Sequence, residues 1–103
     1  MPHPVINERA ADLERLCRRY QVRRLALFGS AATGRSFSEA SDLDFVVEFK
    51  TLPPGVYANT YFGLLEALQR LFKRPVDLVV ESAIKNPYFL EAVEATRTPL
   101  YET

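Results

Sequence analysis

The chain has 103 residues, with 13 Lys or Arg balanced by 13 Asp or Glu, so its formal net charge is zero. Domains that grip duplex nucleic acid through its backbone carry a clear basic excess. The balance therefore argues against a DNA partner and favours a compact substrate such as a nucleotide, or a protein partner. The length predicts one domain over residues 1–103, with a modest core that a partner subunit could help to cover. A single cysteine, Cys17, excludes an internal disulfide and a cysteine-rich zinc site, and fits a reducing compartment. The opening Met1-Pro2-His3-Pro4 lacks the charged stretch and apolar run of a secretory signal. No apolar stretch approaches the ~20 residues that span a bilayer. The expectation is a cytoplasmic protein with no membrane partner.

From Asn7 to about Tyr20 the apolar positions Ala10, Leu13, Leu16, Cys17 and Tyr20 recur at helical spacing, with Glu8, Arg9, Asp12, Arg15 and Arg19 on the other face. Cys17 reads as a small buried hydrophobe. Val22 to Phe28, apolar and stopped by Gly29, predicts a first strand. Ser30 to Ser41 is small, polar and Gly-containing, which predicts a loop with at most a short helix. Leu43 to Phe49 predicts a second strand, and Pro53-Pro54-Gly55 a turn. Tyr57, Tyr61, Leu64, Leu65, Leu68, Leu71 and Phe72 form a helical apolar stripe that Pro75 ends. Val76 to Val80 predicts a third strand. Asn86-Pro87 suits the cap and first turn of a last short helix. The fold class expected from this order is α/β (α+β), a small mixed sheet flanked by helices, with an antiparallel first strand pair and a helical crossover into the third strand.

Asp42 and Asp44 are two apart on a strand, so both carboxylates aim to one face while Leu43 and Phe45 aim to the other. Two like charges side by side call for a cation between them. Mg²⁺ suits, because it takes oxygen ligands, typically one or two carboxylates plus substrate phosphates. Asp77 interrupts the apolar run Val76-Asp77-Leu78-Val79-Val80, and a buried acid is costly unless it is paired or ligates a metal. With the third strand beside the second, Asp77 joins the cluster, and three acids can hold two metal ions about 3.5–4 Å apart for in-line phosphoryl transfer. Gly29 lets the backbone approach a ligand closely. The Ser30 hydroxyl and the amides of a following helical turn would face phosphate oxygens. Gly34 and Arg35 lie in the same loop and are candidates to hold the triphosphate.

Each piece alone has an ordinary structural reading: a turn, a solvated strand entry, an ion pair. The combination is far more specific. It runs strand, Gly-Ser, eleven residues from Ala31 to Ser41, Asp-x-Asp opening a strand, then an acid in the next strand. The runs Leu27-Phe28-Gly29-Ser30-Ala31-Ala32-Thr33-Gly34-Arg35 and Ser41-Asp42-Leu43-Asp44-Phe45-Val46-Val47-Glu48-Phe49 resemble the minimal nucleotidyltransferases of the DNA polymerase β-like superfamily. The chain looks most like the MntA antitoxins that pair with HEPN-domain toxins. The resemblance covers nearly the whole chain, including Asn86-Pro87-Tyr88-Phe89 through Leu100-Tyr101-Glu102.

That resemblance implies the nucleotidyltransferase fold and an enzyme that transfers AMP from ATP to a tyrosine of a HEPN ribonuclease toxin, within a hetero-oligomer, and so silences it. It implies that Gly29 and Ser30 bind the triphosphate, that Asp42 and Asp44 hold both Mg²⁺ ions, and that Asp77 holds the catalytic ion and helps deprotonate the attacking hydroxyl. Many relatives carry a basic residue where this chain has Thr33, and Arg35 is the candidate to replace it. Two other readings stand beside this one: an antitoxin that acts by binding alone over an idle metal site, and a nucleotidyltransferase with an RNA or small-molecule acceptor.

The remaining features read as structure. His3 has no second histidine to form a metal pair. Arg18, Arg19, Arg23 and Arg24 form a solvated face, with a docking patch as the minority reading. Tyr57, Tyr61, Phe62, Leu65 and Phe72 read as core, with some of them open to a partner. Glu48 shares a strand face with Asp42 and Asp44 but lies farther along, which favours a structural or solvated role, with accessory metal ligation as the minority reading.

Overall fold

The computed structural model describes residues 4–29, 32 and 42–103. In chain order these form α1 (Pro4–Glu8), α2 (Ala10–Arg19), β1 (Val22–Phe28), β2 (Leu43–Phe49), α3 (Tyr57–Phe72), β3 (Val76–Val80), a 3₁₀ turn (Glu81–Ala83), α4 (Pro87–Thr96) and β4 (Thr98–Glu102). The strands make one mixed sheet in the order β3-β2-β1-β4. β1 pairs antiparallel with both β2 and β4, and β2 pairs parallel with β3. The short return from β1 and the helical crossover through α3 therefore give the pairings that connection length predicts.

The first helical segment is not continuous. The Arg9 amide bonds the Ile6 carbonyl at 3.1 Å, a tighter turn than the α-helix allows, and this breaks α1 from α2. Ile6 is buried next to the α2 residues Leu13 and Cys17. Helix α3 buries Leu64, Leu68 and Phe72 at four-residue spacing and ends at Lys73, whose left-handed backbone caps it with an amide bond to the Gln69 carbonyl. The Asn86 side chain accepts the Tyr88 and Phe89 amides at 2.8 and 3.3 Å, with Pro87 in the first turn, so α4 starts where capping chemistry places it.

Alternation along β2 divides the interior in two. Leu43, Phe45 and Val47 join Leu25, Leu27 and Leu78 under α2 and α3 in the larger core. Phe45 is fully buried, with its ring stacked on Phe72 at 5.9 Å. On the other face Val46 joins Ala26, Phe28 and Val93 in a smaller cluster beneath α4. Asp44 and Asp77 share the strand parity of Val46 and Val79, so they belong to this second, thinly covered face.

β4 was not expected from the sequence. It is five residues long and carries Pro99, yet it pairs with β1 at the sheet edge, where a missing amide is tolerated. The aromatic stripe of α3 also divides. Phe72 is core, but Phe62 is 60% exposed and Tyr57 is exposed too. On α4, Tyr88 is 81% exposed. The loop expected over Ser30 to Ser41 lies outside the described residues apart from Ala32, which is buried, and so does His3. Among the described residues no helix is long and apolar enough to cross a membrane.

Candidate active site

In the parallel ladder of β2 and β3, Asp44 is the direct register partner of Asp77. Across the antiparallel ladder on its other side, Asp44 faces Phe28, the last residue of β1 before Gly29. Asp42 stands just ahead of β2 and is exposed. The fold thus brings the Asp-x-Asp entry, the third-strand acid and the glycine turn to one end of the sheet. Ser30, Gly34 and Arg35, expected at the same end, lie outside the described residues, as does Thr33.

The electrostatics single out Asp44. Burial, then the Asp77 charge, then the Asp42 charge push its carboxyl above the ordinary carboxylate range. Asp77, by contrast, is exposed: β3 is an edge strand, so the apolar run around Asp77 does not bury its carboxylate. The cost of a half-buried acid therefore falls on Asp44.

Gly29 is constrained from two directions. Its φ is +76°, in the left-handed region. A Cβ built there would stand 2.6 Å from Asp44 Oδ2. Its carbonyl accepts the Ala32 amide at 3.1 Å, closing a turn after β1. Its own amide donates to Thr96 Oγ1 at 2.9 Å, across 67 residues of sequence. The glycine turn thus lies directly against the Asp44 carboxylate, and α4 holds it through a hydroxyl that no sequence pattern had marked.

Tyr61 is a second residue whose place sequence reasoning understated. It reads as core, but its hydroxyl donates to the Leu78 carbonyl at 2.5 Å, tying α3 to β3 one residue beyond Asp77. Burial, followed by the charge of Asp77 and then Tyr57, raises its pKa. Glu48 lies at the opposite end of β2, where Arg24 at 2.7 Å and Arg23 at 3.9 Å hold it, so it plays the structural part expected of it.

Whether the acids suit a metal follows from their chemistry. Among the described residues no three His, Cys, Asp or Glu side chains are assembled to hold a metal ion unaided. Asp42, Asp44 and Asp77 offer oxygen donors only, and mutual repulsion contributes to the raised pKa of Asp44, a strain that a cation relieves. That set fits Mg²⁺, which completes its coordination with water and substrate phosphate and seldom uses an all-protein cage.

A mixed sheet that gathers paired carboxylates and a glycine turn at one end is the framework of a nucleotidyl-transferring enzyme. The family model of the nucleotidyltransferase domain matches residues 13–98, and the chain belongs to that family. Two proteins of Methanocaldococcus jannaschii, each named "Putative protein adenylyltransferase", are 40% and 37% identical to it over 76 residues, covering 74% of both chains in each comparison. A solved structure described as a "putative minimal nucleotidyltransferase" superposes with a TM-score of 0.76 at 31% identity, covering 96% of each chain. At fold level alone, the chain also resembles a toxin-antitoxin structure with AMP-PNP, with a TM-score of 0.68 at 21% identity over 91% of this chain and 73% of that one. A complex of a tri-AMPylated Shewanella oneidensis HEPN toxin with its MNT antitoxin gives 0.65 at 18% identity, over 94% and 72%.

Proposed function

We propose that the chain is a protein adenylyltransferase antitoxin, which transfers AMP from ATP to a tyrosine of a cognate HEPN toxin and thereby silences it. The observation that carries this reading is the juxtaposition of Asp44 with Asp77 in register and with Gly29 in contact range, on a sheet face only thinly covered by α4. The names of the M. jannaschii relatives and the likeness to MNT antitoxins in complex with HEPN toxins support it. The exposed aromatics Phe62 and Tyr88 are what a protein-binding domain of this size would carry.

In this reading Asp42 and Asp44 would hold two Mg²⁺ ions, and Asp77 would help to hold the catalytic one. The metal, when bound, offsets charge on the triphosphate and on the attacking oxygen. Gly29, with Ser30, Gly34 and Arg35, would bind the triphosphate. The acceptor hydroxyl attacks the α-phosphorus of ATP, a new P–O bond forms, and the bond to the bridging oxygen breaks to release pyrophosphate. Asp77 receives the hydroxyl proton, and its exposed position on the edge strand lets that proton pass on to water.

The test is the intact mass of a co-expressed HEPN partner with Mg²⁺ and ATP, for wild type and Asp44→Ala. One or more added AMP units with wild type only is the expected result. A partner of unchanged mass with both proteins would sink the reading. Silencing that survives an Asp42→Ala, Asp44→Ala double substitution would establish neutralisation by binding alone. Label from ATP appearing in RNA would establish a different acceptor.

A further inference from the structure

We infer that Thr96 is a positioning residue for nucleotide binding, whose hydroxyl fixes the Gly29 turn against Asp44 from the far end of α4. The inference rests on the reading of Gly29 and Asp44 as part of the nucleotide site. It begins with the inventory of one hydroxyl. Thr96 Oγ1 accepts the Gly29 amide at 2.9 Å and donates to the Ala92 carbonyl at 3.3 Å. A threonine in the last turn of a helix readily bonds back to the carbonyl four residues earlier, which selects its rotamer independently of Gly29. The acceptor is therefore set by the helix and presented to the turn.

The turn needs such a restraint. Glycine carries the widest backbone freedom of any residue, and Gly29 sits where a small displacement changes its spacing to the Asp44 carboxylate. The platform beneath Thr96 has contacts of its own. Val93, one turn back, is buried in the smaller core. Arg97, the next residue, ion-pairs with Glu81 and, at 2.6 Å, with Glu94. The path from β1 to the site thus runs through a hydroxyl on a helix that meets the smaller core through Val93 and the 3₁₀ turn through the Arg97–Glu81 pair. One chemical consequence is specific. The Gly29 amide is committed to the protein, so Gly29 serves the triphosphate by its shape, and the donors to phosphate come from other groups.

Thr96→Val keeps the side-chain volume and removes the hydroxyl; Thr96→Ser keeps the hydroxyl and removes the methyl. Two quantities are read: hydrogen exchange of the Gly29 amide by NMR, and Mg²⁺-dependent ATP affinity by calorimetry. Loss of one hydrogen bond should speed that exchange and weaken ATP about fivefold in Thr96→Val, while Thr96→Ser stays within about twofold of wild type on both. Unchanged exchange and affinity in Thr96→Val would overturn the inference. So would a Thr96→Ser as impaired as Thr96→Val, because the methyl and not the hydroxyl would then matter. Asp44→Asn in the same series separates the two levels. If it loses Mg²⁺-dependent affinity while Thr96→Val does not, only the role of Thr96 fails. If Asp44→Asn binds as wild type does, or wild type binds no ATP, the site reading falls and takes Thr96 with it.

Discussion

Asp44 and Asp77 stand opposite each other in the parallel register of β2 and β3, and the Asp44 carboxyl is pushed above the ordinary range. An acid with a raised folded-state pKa holds its proton more tightly when folded than when unfolded. Ionising it therefore costs stability, and the cost appears as pH rises through the window between the unfolded value of about 3.9 and the higher folded one. Asp44→Asn should consequently raise the melting temperature at pH 7 over wild type. That advantage should shrink as the pH falls through the same window, because wild-type Asp44 is then protonated too. Thermal melts of both proteins from pH 3.5 to pH 7 check the sign. The same variant should lose about a hundredfold or more in nucleotidyl transfer, the scale on which removal of an electrostatic stabiliser acts. Stability and activity would then move in opposite directions.

Mg²⁺ should recover part of that cost. A ligand that binds only the folded state stabilises it in proportion to its saturation. Millimolar Mg²⁺ should raise the melting temperature of the wild type at pH 7, and chelation should reverse the rise. Asp44→Asn should show a much smaller response, and Asp77→Asn an intermediate one. Equal responses in all three proteins would place the cation elsewhere.

Gly29→Ala combines two penalties. A left-handed backbone costs a residue with a Cβ about 1–2 kcal/mol, and here the Cβ would also press on Asp44 Oδ2. Denaturant unfolding should show a loss of at least that size. ATP affinity should fall as well, since the carboxylate or the turn must move to make room.

Cys17 should be inert in the folded protein. It is fully buried, and burial together with Glu14 pushes its thiol up to about 12, so almost no thiolate exists at neutral pH. A thiol reagent at pH 8 should leave it unmodified over hours and modify it rapidly in denaturant. Fast modification under native conditions would show that the α2 packing opens readily.

Much of this architecture is legible in the sequence because it rests on local signals. The stripe from Tyr57 to Phe72, the Asn86-Pro87 cap, the end of the first strand at Gly29 and the helix stop ahead of Pro75 each announce themselves within a few residues. The juxtaposition of Asp44 with Asp77 is legible one step later, since a helical crossover allows a parallel neighbour and parity then assigns the face. Three features are not. The break at Arg9 depends on Ile6 finding the core, β4 depends on the free edge of β1, and the Thr96 bond joins residues with no sequence relation. Asp77 carries a subtler lesson. An apolar run reads as buried, but an edge strand exposes what a central one would bury.

The unequal thickness of the two faces sets an order in which the protein opens. Local unfolding draws on the elements with the least buried apolar area, and α4, whose apolar contacts run through Val93 and through Phe89 against Phe28, is such an element. Hydrogen exchange should divide the backbone into two groups, with α4 and β4 exchanging before α3 and β2. The Gly29 amide should follow the faster group although it adjoins a slow strand, so excursions of a surface helix would set how long the glycine turn keeps its shape between encounters.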